Sequence, residues 1–232
     1  MLSVVLDLIF PKSCANCGKG RSYFCSDCIS QIMQTDLVCP QCERPSLGGF
    51  THPVCKRSWG MDGLWSLGIY DKPLKQPIQK LKYKFIEELA ENLIDLFLEY
   101  WARYQPLLLD QIKKDRGVDW ILIPVPLHKR RQNWRGFNQS ALLAKLLAQK
   151  IGLTYKDCLL RTKHTKPQMS LKSQDRHQNI HGVFALKEGS SVKDKKILLI
   201  DDVWTTGSTL KECTTVLKRN GSKLVWGLTI AR

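Results

Sequence analysis

The 232-residue sequence contains no long apolar run. No stretch approaches the roughly 20 consecutive apolar residues that a membrane-spanning helix needs. The short apolar stretch Leu2–Phe10 carries Asp7, and it lacks the basic start and the small-residue cleavage site of a secretory signal. We therefore expect no membrane span, no signal peptide and a cytoplasmic location, with a short helix over residues 2–10 packed on the domain behind it.

Acidic residues are scarce beside basic ones. The chain has 21 Asp and Glu against 36 Lys and Arg, which gives a formal net charge of +15 and a pI near 9.5. This excess favours a polyanionic partner, which can be a nucleotide, a nucleic acid or an anionic membrane surface. Hydrophobic residues make up 43% of the chain, enough for a core, and the length predicts one or two domains.

Cysteine is almost confined to the N-terminal quarter, where seven of the nine cysteines lie within the first 55 residues. They form three Cys-x-x-Cys pairs, and a fourth pair has histidine in the first place. The eight positions are Cys14, Cys17, Cys25, Cys28, Cys39, Cys42, His52 and Cys55. Each pair makes a tight turn that directs two ligands at one ion, and two pairs complete a tetrahedral zinc site. Sequential pairing predicts one zinc on the first four ligands and a second on the last four, although interleaved ribbons would cross the pairs.

Two alternatives remain for these residues. Disulfide bonds would need an oxidising compartment, and nothing in the sequence indicates export. His52 beside Pro53 can also be an ordinary surface histidine, which would leave Cys55 unpaired and only one zinc. None of the pairs offers an open coordination position, so we expect one or two structural zinc ions, which supply folding free energy to a zinc module over residues 1–60.

A second motif begins at Ile197. The apolar run Ile197–Ile200 predicts a buried strand that leads into Asp201 and Asp202, and a helix is predicted from Ser208. The small, hydroxyl-rich turn between them comprises Thr205, Thr206, Gly207, Ser208 and Thr209. Backbone N–H groups, hydroxyls and a helix N-terminus suit a phosphate, and the acids suit sugar hydroxyls or a divalent metal. The alternative is an ordinary capped turn with an incidental acid pair.

Strand and helix patterns alternate over the rest of the chain. Strands are predicted at 64–70, 119–126, 183–186 and 223–230, and helices at 77–104 and 138–151. This alternation favours a parallel α/β sheet with its sites at the carboxyl ends of the strands. Four lysines at the start of the first helix form either a solvated face or an extension of an anion-binding surface. They are Lys75, Lys80, Lys82 and Lys84.

Two further segments are rich in cations. The loop after Pro124 carries His128, Lys129, Arg130, Arg131 and Arg135, cations that can also bind a nucleic-acid backbone or simply be solvated. The segment 161–179 is basic, polar and long for a connection, which is typical of a lid or of a disordered loop.

The sequence Leu-Ile-Asp-Asp-Val-Trp-Thr-Thr-Gly-Ser-Thr, residues 199–209, resembles the phosphoribosyl-pyrophosphate (PRPP) motif of type I phosphoribosyltransferases. The order of the paired cysteines, the Arg135–Gln139 block, the polar segment 161–184 and this motif resembles the ComF family of competence-associated proteins, also represented by the GntX type. The resemblance covers essentially the whole chain. It implies a type I phosphoribosyltransferase-like parallel-sheet domain at 61–232 behind the zinc-ribbon module.

The resemblance also implies roles for individual residues. Asp201 and Asp202 would hold the ribose hydroxyls, directly or through Mg²⁺, and residues 205–209 would wrap the 5′-phosphate. The loop after Pro124 would bind pyrophosphate through Arg131 and Arg135, since arginine forks match phosphate oxygens. Together with the two acids, these arginines are the expected catalytic residues. Segment 161–179 would close over the ligand.

The function so implied is PRPP binding in the service of DNA uptake during natural transformation, with a phosphoribosyltransferase activity on an unknown acceptor. Thr205 stands where purine-salvage enzymes typically carry aspartate, which makes the motif closer to the orotate type and leaves no general base in it. Such a transfer can rely on electrostatic support of the leaving pyrophosphate. The alternatives are an accessory protein that binds single-stranded DNA without transferase activity, and a regulatory module that senses PRPP and docks partners through its zinc domain. The expected partners, besides the ribose phosphate, are single-stranded DNA and DNA-uptake or helicase proteins.

Overall fold

The computed structural model describes residues 12–20, 22–83, 87–104, 106–115, 119–162 and 182–232. The helix predicted over residues 2–10 lies outside the described residues, as does most of the segment 161–179. No described helix is both long enough and apolar enough to cross a membrane. The cytoplasmic location stays a prediction.

The helices of the described residues are α1 (Ser26–Ile29), α2 (Lys75–Tyr83), α3 (Glu87–Tyr104), α4 (Pro106–Lys114), α5 (Lys129–Arg135), α6 (Gln139–Ile151) and α7 (Ser208–Arg219). The strands are β1 (Gly63–Gly68), β2 (Trp120–Pro124), β3 (Thr154–Tyr155), β4 (Leu159–Arg161), β5 (Phe184–Leu186), β6 (Lys196–Val203) and β7 (Leu224–Ala231). Two short 3₁₀ turns, Leu47–Gly49 and Pro53–Cys55, lie in the N-terminal region.

Five strands form one parallel sheet in the order β1-β7-β6-β2-β3, and β4 pairs with β5 in a separate antiparallel ribbon. Parallel sheets are covered on both faces, so their strands are apolar along most of their length. β1 and β2 are buried at every position. This is why the strands around residues 64–70 and 119–126 were predictable from apolar runs alone.

The two faces of the sheet carry separate cores, because successive side chains of a strand point to opposite faces. Leu198 and Ile200 of β6 pack in a core with α2, α3, α4 and α6. Ile197 and Leu199 pack in a second core with α7 and with Phe184 of β5. The sheet is therefore a central layer between helices.

The N-terminal ribbons share these cores. Phe24, Cys28 and Ile32 belong to the same buried cluster as the helices on the first face. The ring of Phe50 meets Trp226 of β7 edge-on, with 4.7 Å between ring centroids. The boundary predicted at residue 60 stays a prediction, since apolar packing continues across it.

The single helix predicted over 77–104 corresponds to two helices, α2 and α3. Residues 84–86, between them, are outside the described residues. The cation-rich loop after Pro124 contains the unpredicted helix α5. Its first turn is capped by the His128 side chain, which accepts from the N–H of Arg130, and Gly136 ends it in a left-handed conformation. α4 was also not predicted.

Candidate functional site

The acid pair lies at the carboxyl end of the central strand β6, between β7 and β2. In parallel α/β sheets this edge is where ligands bind. β6 continues to Val203, so both acids belong to the strand and not to the loop after it. Asp202 is buried and Asp201 is half-buried.

Asp202 is held by two donors on the first face of the sheet. Its Oδ2 accepts from Nζ of Lys82 at 3.1 Å and from Nε2 of Gln139 at 3.0 Å. The Lys82 side chain is 16% exposed and that of Asp202 is 8% exposed. A buried charge needs such pairing, because an uncompensated one is costly.

The structure corrects the prediction for Lys82. It is neither part of a solvated face nor a free anion-binding group, whereas Lys75 and Lys80 of the same cluster are exposed, and Lys84 lies outside the described residues. The available signal was spacing: Lys82 follows the buried Ile78 by four residues and so shares its helical face.

Asp201 is bound differently. Its Oδ1 accepts from Oγ of Ser140 and from the backbone N–H of Asp202, each at 2.9 Å. Burial, followed by the neighbouring Asp202 carboxylate, raises the pKa of Asp201 to about 7. A hydroxyl donor or a cation placed at this carboxylate would favour its charged form.

The N-terminus of α6 attaches to this edge of the sheet. Asn138 caps the helix by accepting from the N–H of Ser140 at 3.0 Å, and its Nδ2 donates to the Val125 carbonyl at 3.0 Å. The cap thus joins α6 to the end of β2 and points Gln139 and Ser140 at the acids. Sequence reasoning noted the block 135–139 but missed these contacts.

The turn after β6 is folded tightly over Trp204. Gly207 has φ +67°, and a Cβ there would lie 2.2 Å from the indole of Trp204, which is 1% exposed. The Oγ atoms of Thr206 and Ser208 are 2.8 Å apart. α7 begins directly behind them, so the N-terminus of a helix, the hydroxyls and the acids gather at one edge. Thr205 is exposed.

The two predicted catalytic arginines lie on α5. Nη1 of Arg135 donates to Oε1 of Gln139 at 3.3 Å, and Gln139 itself bonds Asp202. Arg131 has a described backbone in α5, but its side chain lies outside the described atoms. Lys129 and Arg130 are exposed on the same helix.

The first four cysteines converge in space. The Sγ atoms of Cys14 and Cys28 are 3.7 Å apart, and those of Cys17 and Cys25 are 3.6 Å apart. Zinc–sulfur bonds of about 2.3 Å in a tetrahedron space the sulfurs by about 3.8 Å. Burial raises the pKa of Cys14, but backbone N–H donors outweigh it and bring the pKa to about 6. The cluster fits one zinc ion.

The other four ligands form a second cluster, and within each cluster all four ligand atoms lie within 4.8 Å of one another. Nδ1 of His52 is 3.4 Å from Sγ of Cys42, and its Nε2 donates to the Pro45 carbonyl at 3.0 Å. That outer hydrogen bond fixes the ring and leaves Nδ1 for the metal. Backbone N–H groups also offset the effect of burial on Cys39, whose pKa is about 7. The geometry groups the ligands sequentially and places His52 among them.

Comparison with known proteins agrees with both parts of the chain. A double zinc ribbon domain model matches residues 5–58, and a phosphoribosyl transferase domain model matches residues 138–230. Competence protein F of Haemophilus influenzae is 30% identical over 227 residues, covering 94% of this chain and 90% of that protein. The chain belongs to the competence protein F family.

Further relatives in this family carry two names. The DNA utilization protein YhgH of Escherichia coli O157:H7 is 33% identical over 215 residues, covering 89% of this chain and 88% of that protein. Competence protein ComFC of Bacillus subtilis is 27% identical, covering 85% and 78%. The predicted family resemblance is confirmed.

Solved structures similar to this chain include the allosteric regulatory enzyme of purine biosynthesis, with a TM-score of 0.40, 15% identity and coverage of 66% of this chain and 30% of that one. Another is adenine phosphoribosyl transferase from Trypanosoma brucei, with a TM-score of 0.37, 16% identity and coverage of 71% and 70%. The family models and the five-stranded parallel sheet confirm the predicted fold class: a type I phosphoribosyltransferase-like domain with an N-terminal zinc-ribbon module.

Proposed function

We propose that the chain binds PRPP or another ribose phosphate at the carboxyl end of β6 and serves DNA uptake in natural transformation. The observation that carries the proposal is the meeting of the acid pair and the Gly207 turn at the N-terminus of α7. The names of the relatives, competence protein and DNA utilization protein, support the cellular role.

The residues divide between the two ends of such a ligand. The backbone N–H groups and hydroxyls of residues 206–209 suit the 5′-phosphate, and the positive end of the α7 dipole adds to them. The Asp201 carboxylate suits the ribose hydroxyls, because it can accept hydrogen bonds from them.

This donor set fits Mg²⁺ through one of its two carboxylates. Mg²⁺ prefers oxygen ligands and typically binds one or two carboxylates together with substrate phosphates. Asp201 offers such a carboxylate, whereas Asp202 already bonds Lys82 and Gln139. When bound with the ligand, Mg²⁺ would neutralise pyrophosphate charge.

A phosphoribosyl transfer is the chemistry we propose for this site, with an acceptor of unknown identity. Arg135 and Arg131 would bind the departing pyrophosphate, and Arg135 is joined to the acid pair through Gln139. Their charge would stabilise the developing negative charge, so no general base is needed in the exposed loop at Thr205.

Calorimetric titration of Mg²⁺–PRPP into the zinc-loaded chain tests the proposal. Wild-type protein should bind at one saturable site, and Asp201→Asn should abolish it. Asp157→Asn is the matched control, since that carboxylate is exposed and pairs with Lys187 at 2.9 Å. Folded wild-type protein that does not bind PRPP would refute the proposal.

Single-stranded DNA is a second candidate ligand, and a surface of α5 favours it. Trp134 is 72% exposed and lies on a helix with the exposed cations Lys129 and Arg130. Nucleic-acid-binding grooves combine cations that track the backbone with aromatic rings on which bases stack. The arrangement supports contact with both phosphates and bases.

Fluorescence anisotropy with an oligo-dT probe tests the second candidate. Trp134→Ala should weaken binding about 5-fold to 150-fold, the range of one lost base–aromatic stack, and rising salt should weaken it steeply. Trp59→Ala, which removes a second exposed tryptophan, is the control. Unchanged oligo-dT affinity in Trp134→Ala would refute the stacking role. Weaker oligo-dT binding with unchanged PRPP binding in the same variant would show that the two functions are separate.

A further inference from the structure

The two acids of the β6 end differ in what holds them. Asp202 is bonded by the ammonium group of Lys82 and by the amide of Gln139, both at Oδ2. Asp201 accepts from a hydroxyl and from a backbone N–H, which are neutral donors. One carboxylate therefore has a protein cation in contact with it, and the other has a dipolar environment.

Lys82 is fixed in this position by its own helix. Leu81, next to Lys82, and Ile78, one turn before Lys82, are each 1% exposed in the core on the first face of the sheet. Their burial sets the rotation of α2 and directs the Lys82 side chain at the end of β6. A displaced ammonium group would need a new partner, because a buried unpaired charge is strongly disfavoured.

Gln139 and Ser140, neighbours at the N-terminus of α6, bond the two carboxylates, and acids gathered in this way would otherwise attract a divalent cation. Carboxylates are preferred ligands of Mg²⁺ and Mn²⁺. A cation that binds Oδ2 of Asp202 must replace the Lys82 ammonium, whose Nζ is 3.1 Å from that oxygen.

We propose that Lys82 is the internal counter-ion of the acid pair: it excludes a divalent cation from Asp202 and leaves Asp201 as the acid that meets a ligand. The second half of this statement rests on the proposed ribose-phosphate site, whereas the exclusion of the cation does not. In this arrangement Asp202 and Lys82 are positioning residues. A metal that enters the site does so with oxygen atoms of the ligand and the Asp201 carboxylate.

Mn²⁺ binding to the zinc-loaded full chain, with no sugar phosphate present, tests the exclusion directly. Free Mn²⁺ is measured by its electron paramagnetic resonance signal, and Mn²⁺ has little affinity for thiolate sites. Lys82→Met should bind one Mn²⁺ at least tenfold more tightly than wild type. Lys82→Arg retains the charge and should match wild type, as should Lys80→Met on the exposed face of the same helix.

Asp202→Asn in the Lys82→Met background should remove the new Mn²⁺ site. If Lys82→Met does not fold, Lys82→Gln keeps a donor for Asp202 and should show the same tightening. Equal Mn²⁺ affinity in wild type and in a folded Lys82→Met or Lys82→Gln variant would overturn the proposal. Failure of wild type to bind PRPP would overturn the ribose-phosphate site and leave the Mn²⁺ result interpretable.

Discussion

Nζ of Lys211 lies 5.2 Å from the ring centroid of Trp204 and 3.8 Å from Oε1 of Glu43. Glu43 follows the zinc ligand Cys42, and the backbone N–H of Lys211 donates to the Gly207 carbonyl at 2.8 Å. Burial lowers the pKa of Lys211, and Glu43 opposes that shift. Lys211 thus joins Glu43, the neighbour of a ligand in the second zinc cluster, to Trp204 and to Gly207 of the proposed phosphate loop.

Lys211→Met should therefore loosen the loop and weaken Mg²⁺–PRPP binding. The partly exposed pair with Glu43 contributes about 0.5–1 kcal/mol, so a loss of affinity of about 2-fold to 5-fold is expected, with faster amide hydrogen exchange over residues 205–209. Glu43→Gln should act in the same direction, and the double variant should show less than the sum of both effects. Lys193→Met, on an exposed position, is the control. Fully additive effects would contradict the coupling.

Gly207→Ala should destabilise the chain more than the same substitution at a glycine of positive φ that has open space around it. The added Cβ would lie 2.2 Å from Trp204, besides the strain of φ +67°. Gly152→Ala is a matched control with φ +68° and no heavy atom within 4 Å of the new Cβ. We expect a loss of about 1 kcal/mol for Gly152→Ala and of at least about 2 kcal/mol for Gly207→Ala, measured by urea unfolding. Equal losses would show that the turn can move away from Trp204.

Removal of zinc should destabilise the sheet domain as well as the ribbons. Phe24 and Ile32 lie in the core shared with the helices on the first face, so unfolded ribbons would expose part of that core. A strong chelator should lower the melting temperature reported by the buried tryptophans of the sheet, and added zinc should restore it. An unchanged melting temperature in zinc-free protein would show that the sheet domain is stable without the ribbons.

Acid should weaken the fold through Asp115. Its Oδ2 accepts from Nζ of Lys196 at 2.6 Å and from Nε1 of Trp120 at 2.8 Å, and these bonds lower its pKa. A lowered carboxylate pKa adds stability above the unfolded-state pKa of about 4, and that stability is lost as the pH falls through the folded-state value. Asp115→Asn should cost about 1–2 kcal/mol at pH 7.

The cost of Asp115→Asn should disappear in strong acid, where the wild-type carboxyl is protonated as well. Denaturant unfolding at pH 7 and near pH 2 measures both values. Asp110→Asn, at an exposed position of α4, which ends one residue before Asp115, should cost little at either pH. A penalty for Asp115→Asn that does not change with pH would mean that shape, and not charge, is what matters at this position.

Features set by patterns within a short segment of the sequence were predictable, and features set by contacts between distant residues were not. The apolar run 197–200 predicts a strand because parallel strands are buried on both faces, and each ligand pair of the zinc clusters is set by a three-residue spacing. Lys82 could not be placed from such signals, because its partner Asp202 is 120 positions away and the two meet only when α2 packs beside β6. The short helix α5 was missed because its seven residues are mostly polar and cationic, without the apolar spacing that marks longer helices.

Because Phe24 and Ile32 share a core with the sheet helices, we expect the lifetime of the chain to depend on the cell's zinc supply. A molecule made under zinc starvation would expose these apolar side chains, and transiently unfolded surfaces of that kind are what proteases and chaperones select. The abundance of the protein would then follow metal nutrition without any change in the transcription of its gene.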